Sequence, residues 1–304
     1  MNKNLLLLLS FLSLFACQHP SEPQEKKTLK IVCTTGMLGD AVSNIVKEKA
    51  EVITLMGSGV DPHLYKATQG DLKHLSTADI IIYNGLHLEG KMGEIFDKLK
   101  NRKTIIVAAQ GISEEELINN TDFQGAHDPH VWFDVALWSK VVQYIGDQLS
   151  SMNDTLKNDF QKNTTIYANQ LNELNSTVKT QLSVIDSSKR VLITAHDAFG
   201  YFGKAYDIEV KGLQGISTVS EYGLKDVSDL VTFISERKIR SVFVESSVSD
   251  RSLKAVVEGC KSKGHDVKIG GTLFSDAMGE AGTKEGTYIG MVEFNVKTII
   301  EGLQ

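Results

Sequence analysis

The sequence predicts an α/β protein in which two four-stranded lobes are joined by one long linking helix. Short runs of β-branched and other apolar residues alternate with longer amphipathic segments, which is typical of helices layered on a mainly parallel sheet. A central segment, 153–186, contains no Gly and no Pro and carries apolar residues at helical spacing. This segment divides the 304-residue chain into two halves of similar organisation.

Each half of the chain contains four candidate strands. In the first half they are 29–35, 52–56, 80–83 and 104–108. In the second half they are 191–195, 208–211, 241–245 and 267–270. Helices are expected between the strands, for example at 39–49, 134–150, 228–238 and 251–263. We therefore expect one α/β lobe within residues 28–151 and another within 187–304.

The segment 152–186 is predicted to be the linking helix. Its apolar residues follow one another at steps of three, four or seven, which places them in one buried stripe. They are Leu156, Phe160, Tyr167, Leu171, Leu174, Val178, Leu182 and Ile185. Asn153 is a suitable N-cap, and a helix of this length would extend roughly 50 Å. The alternative is two shorter helices with a break near Asn163-Thr164-Thr165.

Residues 1–16 have the pattern of a bacterial export signal. Lys3 supplies a positive charge, and residues 5–15 are almost wholly apolar. The segment ends in Leu14-Phe15-Ala16-Cys17, which resembles the lipobox of bacterial lipoproteins, where the cysteine is lipidated. We expect lipid attachment at Cys17; the alternative is a plain secretory peptide cut at a small residue.

Residues 17–27 are predicted to form a flexible tether between the lipid anchor and the folded body. They are polar and include Pro20 and Pro23, so they offer little apolar surface to bury. No second apolar run of 18 or more residues follows. The expected location is therefore the cell envelope, outside the cytoplasmic membrane (periplasm or cell surface), with a membrane contact through the lipid.

Composition constrains the possible partners. The chain has a formal charge of −6, and removal of residues 1–16, which hold one Lys and no acidic residue, makes it −7. This mild acidity argues against a nucleic-acid partner and suits attraction of cations. Beyond Cys17 the sequence contains only Cys33 and Cys260, and the sequence leaves open whether they are free thiols or a disulfide.

Four residues near the ends of predicted strands are candidate ligands of one metal ion: His63, His130, His196 and Asp276. His63 and His130 each lie in an Asp-Pro-His tripeptide, although the chain has only four prolines. Proline fixes its own φ and biases the preceding Asp towards extended geometry, so each imidazole leaves a rigid turn. His196 and Asp276 follow the strands 191–195 and 267–270, and ligands of open α/β sheets collect beyond such strand ends.

Three imidazoles and one carboxylate fill a tetrahedral shell around a divalent transition metal and leave no position for a catalytic water. The pattern therefore predicts a protein that holds a metal and is not an enzyme. Taken singly, each residue has a plainer interpretation, since Asp276 could cap a helix and Glu245 could replace it as a ligand. His127, on the other side of the same Asp-Pro pair, is the alternative to His130.

Carboxylates close to the candidate ligands in sequence, or at a strand end, could orient the imidazoles through their outer nitrogens. They are Asp61, Asp128, Asp197 and Glu245. The alternative for each of them is local capping of a turn.

Six ordered motifs resemble those of the substrate-binding proteins of bacterial ABC importers for zinc and manganese, and the resemblance covers nearly all of the mature chain. They are Asp61-Pro62-His63-Leu64-Tyr65, Asn84-Gly85-Leu86-His87-Leu88-Glu89, Asp128-Pro129-His130-Val131-Trp132, Thr194-Ala195-His196-Asp197-Ala198-Phe199-Gly200-Tyr201-Phe202, Gly215-Ile216-Ser217-Thr218 and Gly271-Thr272-Leu273. The resemblance implies a metal site in the cleft between two lobes bridged by a long helix. It places the four ligands on His63, His130, His196 and Asp276, two from each lobe. It also implies a monomeric carrier that delivers its ion to a membrane permease driven by a cytoplasmic ATPase.

The resemblance leaves the metal open. In members regarded as manganese-selective the third ligand is often Glu, whereas this chain has His196. A site with three nitrogens favours Zn²⁺ over Mn²⁺ by the Irving–Williams order. Zinc-dedicated relatives, however, often carry a His-rich loop after the first ligand, and this chain has only His74, His87 and His127 there. We expect zinc as the transported ion, with manganese second and ferrous iron third.

Two other functions remain as alternatives. One is an adhesin or structural surface lipoprotein in which the metal staples the fold. The other is a zinc hydrolase, but the sequence contains neither a His-Glu-x-x-His helix nor a Gly-x-Ser-x-Gly turn.

Overall fold

The structure is a computed structural model that describes residues 28–119 and 125–304. The predicted signal peptide 1–16, the tether 17–27 and the lipid attachment site Cys17 lie outside the described residues.

The first lobe is a four-stranded parallel sheet with helices between its strands. Its elements are β1 (Leu29–Cys33), α1 (Gly36–Val46), β2 (Ala50–Thr54), α2 (Gln69–Thr77), β3 (Ile80–Tyr83), α3 (Gly93–Leu99) and β4 (Thr104–Val107). The strand order is β2-β1-β3-β4, and every pair is parallel. All four strands therefore have their carboxyl ends at the same edge of the sheet.

The first lobe ends with α4 (Val135–Ser151), and α5 (Lys157–Leu182) joins it to the second lobe. The linking helix α5 has 26 residues, which corresponds to about 39 Å and is shorter than the predicted 50 Å. The helix begins at Lys157 and not at Asn153. The Asn153 side chain accepts a hydrogen bond from the backbone N–H of Leu156 (3.1 Å) and so caps the turn that precedes the helix. The helix is unbroken at 163–165, so the alternative of two shorter helices is wrong.

The second lobe repeats the topology of the first. Its elements are β5 (Val191–His196), α6 (Gly200–Tyr206), β6 (Glu209–Gln214), α7 (Leu224–Arg237), β7 (Ser241–Glu245), α8 (Arg251–Ser262), β8 (Lys268–Leu273) and α9 (Tyr288–Leu303). The strand order is β6-β5-β7-β8, again all parallel. The first strand of each lobe thus lies between its second and third strands.

The linking helix packs along both lobes through the predicted apolar stripe. Phe160, Leu171 and Leu182 are among its buried residues, and full burial of such a side chain contributes about 1.5–3 kcal/mol. The hydrophobic cluster they belong to is continuous from β1 to β5. Helices α4 and α5 approach closely at Gly146, where a Cβ atom would lie 2.1 Å from Thr164 Oγ1. The lobes therefore share one apolar core along the helix.

The predicted fold class, two four-stranded α/β lobes joined by a long helix, is confirmed. All eight predicted strands are present, with ends displaced by a few residues. The largest displacements are in β6 and β8, which each continue three residues beyond the predicted end, and β8 stays paired with β7 through a register shift at Val242 and Phe243. Within the described ranges, no helix is both long enough and apolar enough to cross a membrane. Cys33 and Cys260 are both buried free thiols.

Candidate metal centre

The two Asp-Pro-His tripeptides form the same local structure. In the first, the backbone N–H of His63 donates to Asp61 Oδ1 (2.8 Å). In the second, the backbone N–H of His130 donates to Asp128 Oδ1 (2.9 Å). An Asp side chain that accepts the N–H two residues later forms an Asx turn, and the intervening Pro has no N–H to compete. This turn is the physical reason for the repeated tripeptide, because it fixes the backbone from which each imidazole projects.

The other two predicted ligands lie at the edge of the second sheet. His196 is the last residue of β5, and Asp276 lies three residues beyond the end of β8. The carboxyl ends of parallel strands meet at one edge, so both side chains reach the face of the second lobe that contacts the first. The side chain of Trp132, two residues after His130, donates to the backbone oxygen of Ser275 (3.0 Å) and ties the two lobes together beside the site.

All four predicted ligands come together in the buried space between the lobes. Their ligating atoms lie within 4.8 Å of one another, and the residues are between 0% and 3% exposed. Asp276 is central, with one carboxylate oxygen 3.4 Å from His130 Nε2 and the other 3.3 Å from His196 Nε2. His63 Nε2 lies 3.2 Å from His130 Nε2 and 3.7 Å from Asp276 Oδ2. Two ligands come from each lobe.

Three of these distances, those among His63 Nε2, His130 Nε2, His196 Nε2 and Asp276 Oδ2, are close to the edge length of a coordination tetrahedron. With metal–ligand distances of about 2.0–2.2 Å, neighbouring ligand atoms lie about 3.3–3.6 Å apart. These three separations run from 3.2 to 3.7 Å. The site therefore has the size for one divalent ion bound by three imidazoles and one carboxylate.

Unsatisfied polar atoms in the cluster also point to a cation. Both carboxylate oxygens of Asp276 and Nε2 of His196 are buried and have no hydrogen-bond partner among the described residues. Burial of polar atoms without partners costs free energy, and a bound ion is one of the standard explanations. A cation at the centre of the cluster would be a partner for His196 Nε2 and for a carboxylate oxygen of Asp276.

The electrostatics of the cluster favour a charged carboxylate beside two charged rings. Burial would raise the pKa of Asp276, but His196 and His130 hold it well below its usual range. Burial would lower the pKa of His130, yet Asp128 and Asp276 raise it to about 9. Burial likewise acts against the charge on His196, but Glu245 and Asp276 raise its pKa well above the ordinary value. Burial lowers the pKa of His63 to about 3.

Two of the four predicted positioning carboxylates contact the outer nitrogen of an imidazole. Asp128 Oδ1 lies 2.7 Å from His130 Nδ1, and Glu245 Oε2 lies 2.6 Å from His196 Nδ1. Both contacts leave Nε2 of the ring directed at the cluster, as a metal ligand requires. Glu245 also accepts the backbone N–H of His196 (2.9 Å), so it does not take the place of Asp276 in the cluster.

The other two predicted positioning residues have different contacts. Asp61 binds the backbone N–H of His63 and not its ring, and its second carboxylate oxygen accepts the hydroxyl of Thr218 (2.6 Å) from the other lobe. Asp197 lines a separate cavity together with Gln214 and Tyr222. Its backbone N–H donates to the carbonyl oxygen of Gln214 (3.1 Å), as a continuation of the β5–β6 pairing.

Three polar residues near the site were not assigned a role from the sequence. Asn84 Nδ2 donates to the carbonyl oxygen of Pro129 (3.0 Å) and so supports the turn of His130. The hydroxyl of Tyr201 donates to the carbonyl oxygen of Asp128 (3.0 Å). The hydroxyl of Thr218 donates to Asp61 Oδ2 (2.6 Å). All three lie within the motifs that carry the resemblance, which is the one signal that could have identified them.

Comparison with known proteins agrees with this geometry. The model of the family "ZnuA: Zinc-uptake complex component A periplasmic" matches residues 31–302. The chain belongs to this family. Membership of the ZnuA family confirms the resemblance predicted from the motifs.

Similar members of the ZnuA family carry the names of different metals. The chain is 49% identical to the manganese-binding lipoprotein MntA of Bacillus subtilis over 276 residues, which is 91% of this chain and 90% of MntA. It is 45% identical to the zinc-binding protein TroA of Treponema pallidum over 273 residues, which is 90% of this chain and 88% of TroA. It is 31% identical to the metal ABC transporter substrate-binding lipoprotein ScbA of Streptococcus cristatus, over 98% of this chain and 97% of ScbA.

The solved structure of the periplasmic zinc-binding protein TroA from Treponema pallidum has the same fold. It superposes with a TM-score of 0.88 at 45% identity, over 91% of this chain and 99% of that chain. The relatives are metal-binding proteins and transporter substrate-binding proteins, not enzymes, which confirms the prediction that the ZnuA-family chain is not an enzyme.

Proposed function

We propose that this protein captures Zn²⁺ or Mn²⁺ outside the cytoplasmic membrane and delivers the ion to an ABC importer. The observation that carries the proposal is the buried cluster of three imidazoles and one carboxylate, whose ligating atoms lie within 4.8 Å of one another. The names of the ZnuA-family relatives support it, because they describe zinc-binding, manganese-binding and transporter lipoproteins.

The proposed ligands are His63, His130, His196 and Asp276. Asp128 and Glu245 fix the orientation of two of the rings through Nδ1, and Asp61 fixes the backbone of a third. Since the four side chains fill a tetrahedral shell, the site binds and releases an ion without leaving a place for a catalytic water.

The proposed partners follow from transport. A substrate-binding component delivers its ion to a membrane permease that a cytoplasmic ATPase drives. We propose that the export signal 1–16 is removed, that Cys17 carries the lipid anchor and that residues 17–27 tether the body. The two lobes with their linking helix, residues 28–304, then act as a monomer held outside the cytoplasmic membrane.

Zinc is proposed to bind more tightly than manganese. MntA and TroA are named for different metals, so the donor set of this chain is the stronger argument. Three imidazole nitrogens and one carboxylate suit Zn²⁺, which binds such donors more strongly than Mn²⁺, and Fe²⁺ is proposed as the third choice of cargo. In a competition titration at pH 7.5 we expect the Kd for zinc to be roughly a hundredfold or more below that for manganese. A Kd for manganese equal to or below that for zinc would reverse this preference.

Removal of the metal is expected to leave the protein folded. The shared apolar core runs through both lobes and the linking helix and does not depend on the cluster. Treatment with a chelator should therefore leave the far-UV circular dichroism spectrum unchanged and the thermal unfolding cooperative. Zinc at 100 times its Kd should add about 2.7 kcal/mol to the free energy of unfolding.

The same experiment separates a carrier from a protein stapled by its metal. A stapled fold loses its structure when the metal is removed, as classical zinc fingers do. Unfolding of the chelated protein at 25 °C would therefore favour the alternative of a metal-stapled adhesin or structural lipoprotein.

A further inference from the structure

The metal cluster has one face towards a cavity between the lobes. The cavity has a volume of about 460 Å³, and His63 is the one cluster residue that lines it. The second lobe contributes Ile216, Ser217, Val219 and Ser220 to its wall. His130, His196 and Asp276 lie behind His63 and are at most 2% exposed. An ion therefore enters and leaves the cluster past His63 and past the segment 215–220, here named the cavity loop.

The cavity loop is anchored beside another proposed ligand. It follows Gln214, the last residue of β6, which is paired in register with His196 of β5. The side chain of Gln214 donates to the carbonyl oxygen of Thr218 (2.7 Å) and to that of Ser220. The cavity loop is thus folded back onto the end of β6, next to β5 and His196. In this conformation the Thr218 side chain points to the first lobe.

A single carboxylate connects the cavity loop to the His63 turn. Asp61 Oδ1 accepts the backbone N–H of His63 (2.8 Å), and Asp61 Oδ2 accepts the hydroxyl of Thr218 (2.6 Å). The two partners of this carboxylate belong to different lobes, and Thr218 is 9% exposed. A short O–H···O⁻ bond of this kind is stronger than a bond between neutral groups.

We propose that Asp61 and Thr218 are a positioning pair that holds the cavity loop over the metal site and sets the lifetime of the bound ion. This inference rests on the proposed function of metal capture. Neither residue touches the ion. While their hydrogen bond is intact, the His63 backbone and the cavity loop are held by the same carboxylate. Breakage of this hydrogen bond frees the His63 turn and the cavity loop together. The bond therefore breaks before the ion leaves the cluster.

The test is the rate of zinc release from the purified, zinc-loaded protein into excess chelator, measured by stopped flow with a chromophoric zinc indicator. Thr218→Val keeps the shape of the side chain and removes the donor. It is expected to raise the release rate by about tenfold, the scale of one lost hydrogen bond to a charged group. Thr218→Ser keeps the hydroxyl and should stay within about twofold of the wild type. The matched control is Thr177→Val on the exposed side of α5, where the rate should not change.

A double-mutant cycle separates this role from general loosening of the fold. Asp61→Asn also weakens the bond to Thr218, so its release rate should rise, and the combined Asp61→Asn/Thr218→Val variant should release zinc no faster than the more affected single variant. The single variant Asp61→Asn also provides an independent test of the proposal if Thr218→Val does not fold. The melting temperatures of the metal-free single variants should stay close to that of the wild type.

The outcomes distinguish this inference from the proposed function. Release from Thr218→Val at the wild-type rate, failure of Thr218→Ser to restore that rate, or additive effects in the double variant would each overturn the positioning pair while zinc binding by the wild type stands. Failure of the wild-type protein to bind either zinc or manganese would overturn the proposed function, and the positioning pair with it.

Discussion

Replacement of His130 by alanine is expected to weaken zinc binding by at least about a hundredfold. His130 is fully buried, and its Nε2 lies 3.2 Å from that of His63 and 3.4 Å from Asp276 Oδ1. A four-ligand zinc site has a binding free energy of about 10–16 kcal/mol, so one ligand accounts for about 3 kcal/mol. The substitution also leaves the buried carboxylate of Asp128 without its imidazole partner, which lowers the free energy of unfolding with and without metal.

His127→Ala is the matched control for this prediction. His127 lies on the other side of the same Asp-Pro pair, and its Nε2 is 2.8 Å from Glu114 Oε1. It lines the cavity but does not belong to the cluster, so its loss should change zinc affinity by no more than about threefold. Affinity is measured by competition with a chelator of known strength. Equal losses in the two variants would show that the ligand assignment is wrong.

Zinc affinity is expected to rise by about a hundredfold for each unit of pH between 7 and 8. The pKa of His130 is raised to about 9 and that of His196 well above its ordinary value, and both shifts favour the charged ring, with N–H on both nitrogens, in the metal-free protein at neutral pH. Their Nδ1 atoms face Asp128 and Glu245, so the proton that the ion must displace is the one on Nε2. Release of two protons for each ion bound makes the affinity increase as the square of the hydroxide concentration.

The sign and the range of this effect follow from the same pKa shifts. Acid weakens binding because it stabilises the protonated, metal-free cluster, and the slope decreases above the pKa of His130, about 9. His63, with a pKa lowered to about 3, adds no further slope at neutral pH. Titration calorimetry in two buffers with different ionisation enthalpies gives the number of protons released. A zinc affinity that stays constant from pH 7.5 to 5.5 would contradict this description of the cluster.

Much of the fold and of the site could be predicted because the signals are local. The stripe from Phe160 to Leu182 has helical spacing, and it is the buried face of α5. The two Asp-Pro-His tripeptides indicated rigid turns, and each forms an Asx turn within three residues. The start of α5 was predicted too early, because Asn153 caps a turn before the helix as readily as it would cap the helix itself.

The contacts between lobes could not be predicted in the same way. Thr218 and Asp61 are 157 residues apart, and Trp132 and Ser275 are 143 apart. Such pairs depend on how the lobes pack on the linking helix, and residue type alone does not specify a partner at that distance. Asp61 shows the limit clearly: its proximity to His63 was correctly noted, but its carboxylate binds the backbone and the opposite lobe instead of the ring.

The central claim is that His63, His130, His196 and Asp276 together hold one divalent ion. A crystal structure of the zinc-loaded protein, with diffraction recorded on both sides of the zinc absorption edge, would locate the ion. We expect one anomalous peak between the lobes, about 2.0–2.2 Å from Nε2 of each of the three imidazoles and from a carboxylate oxygen of Asp276. A peak elsewhere in the protein, or an ion that lacks two or more of these four ligands, would contradict the proposed function.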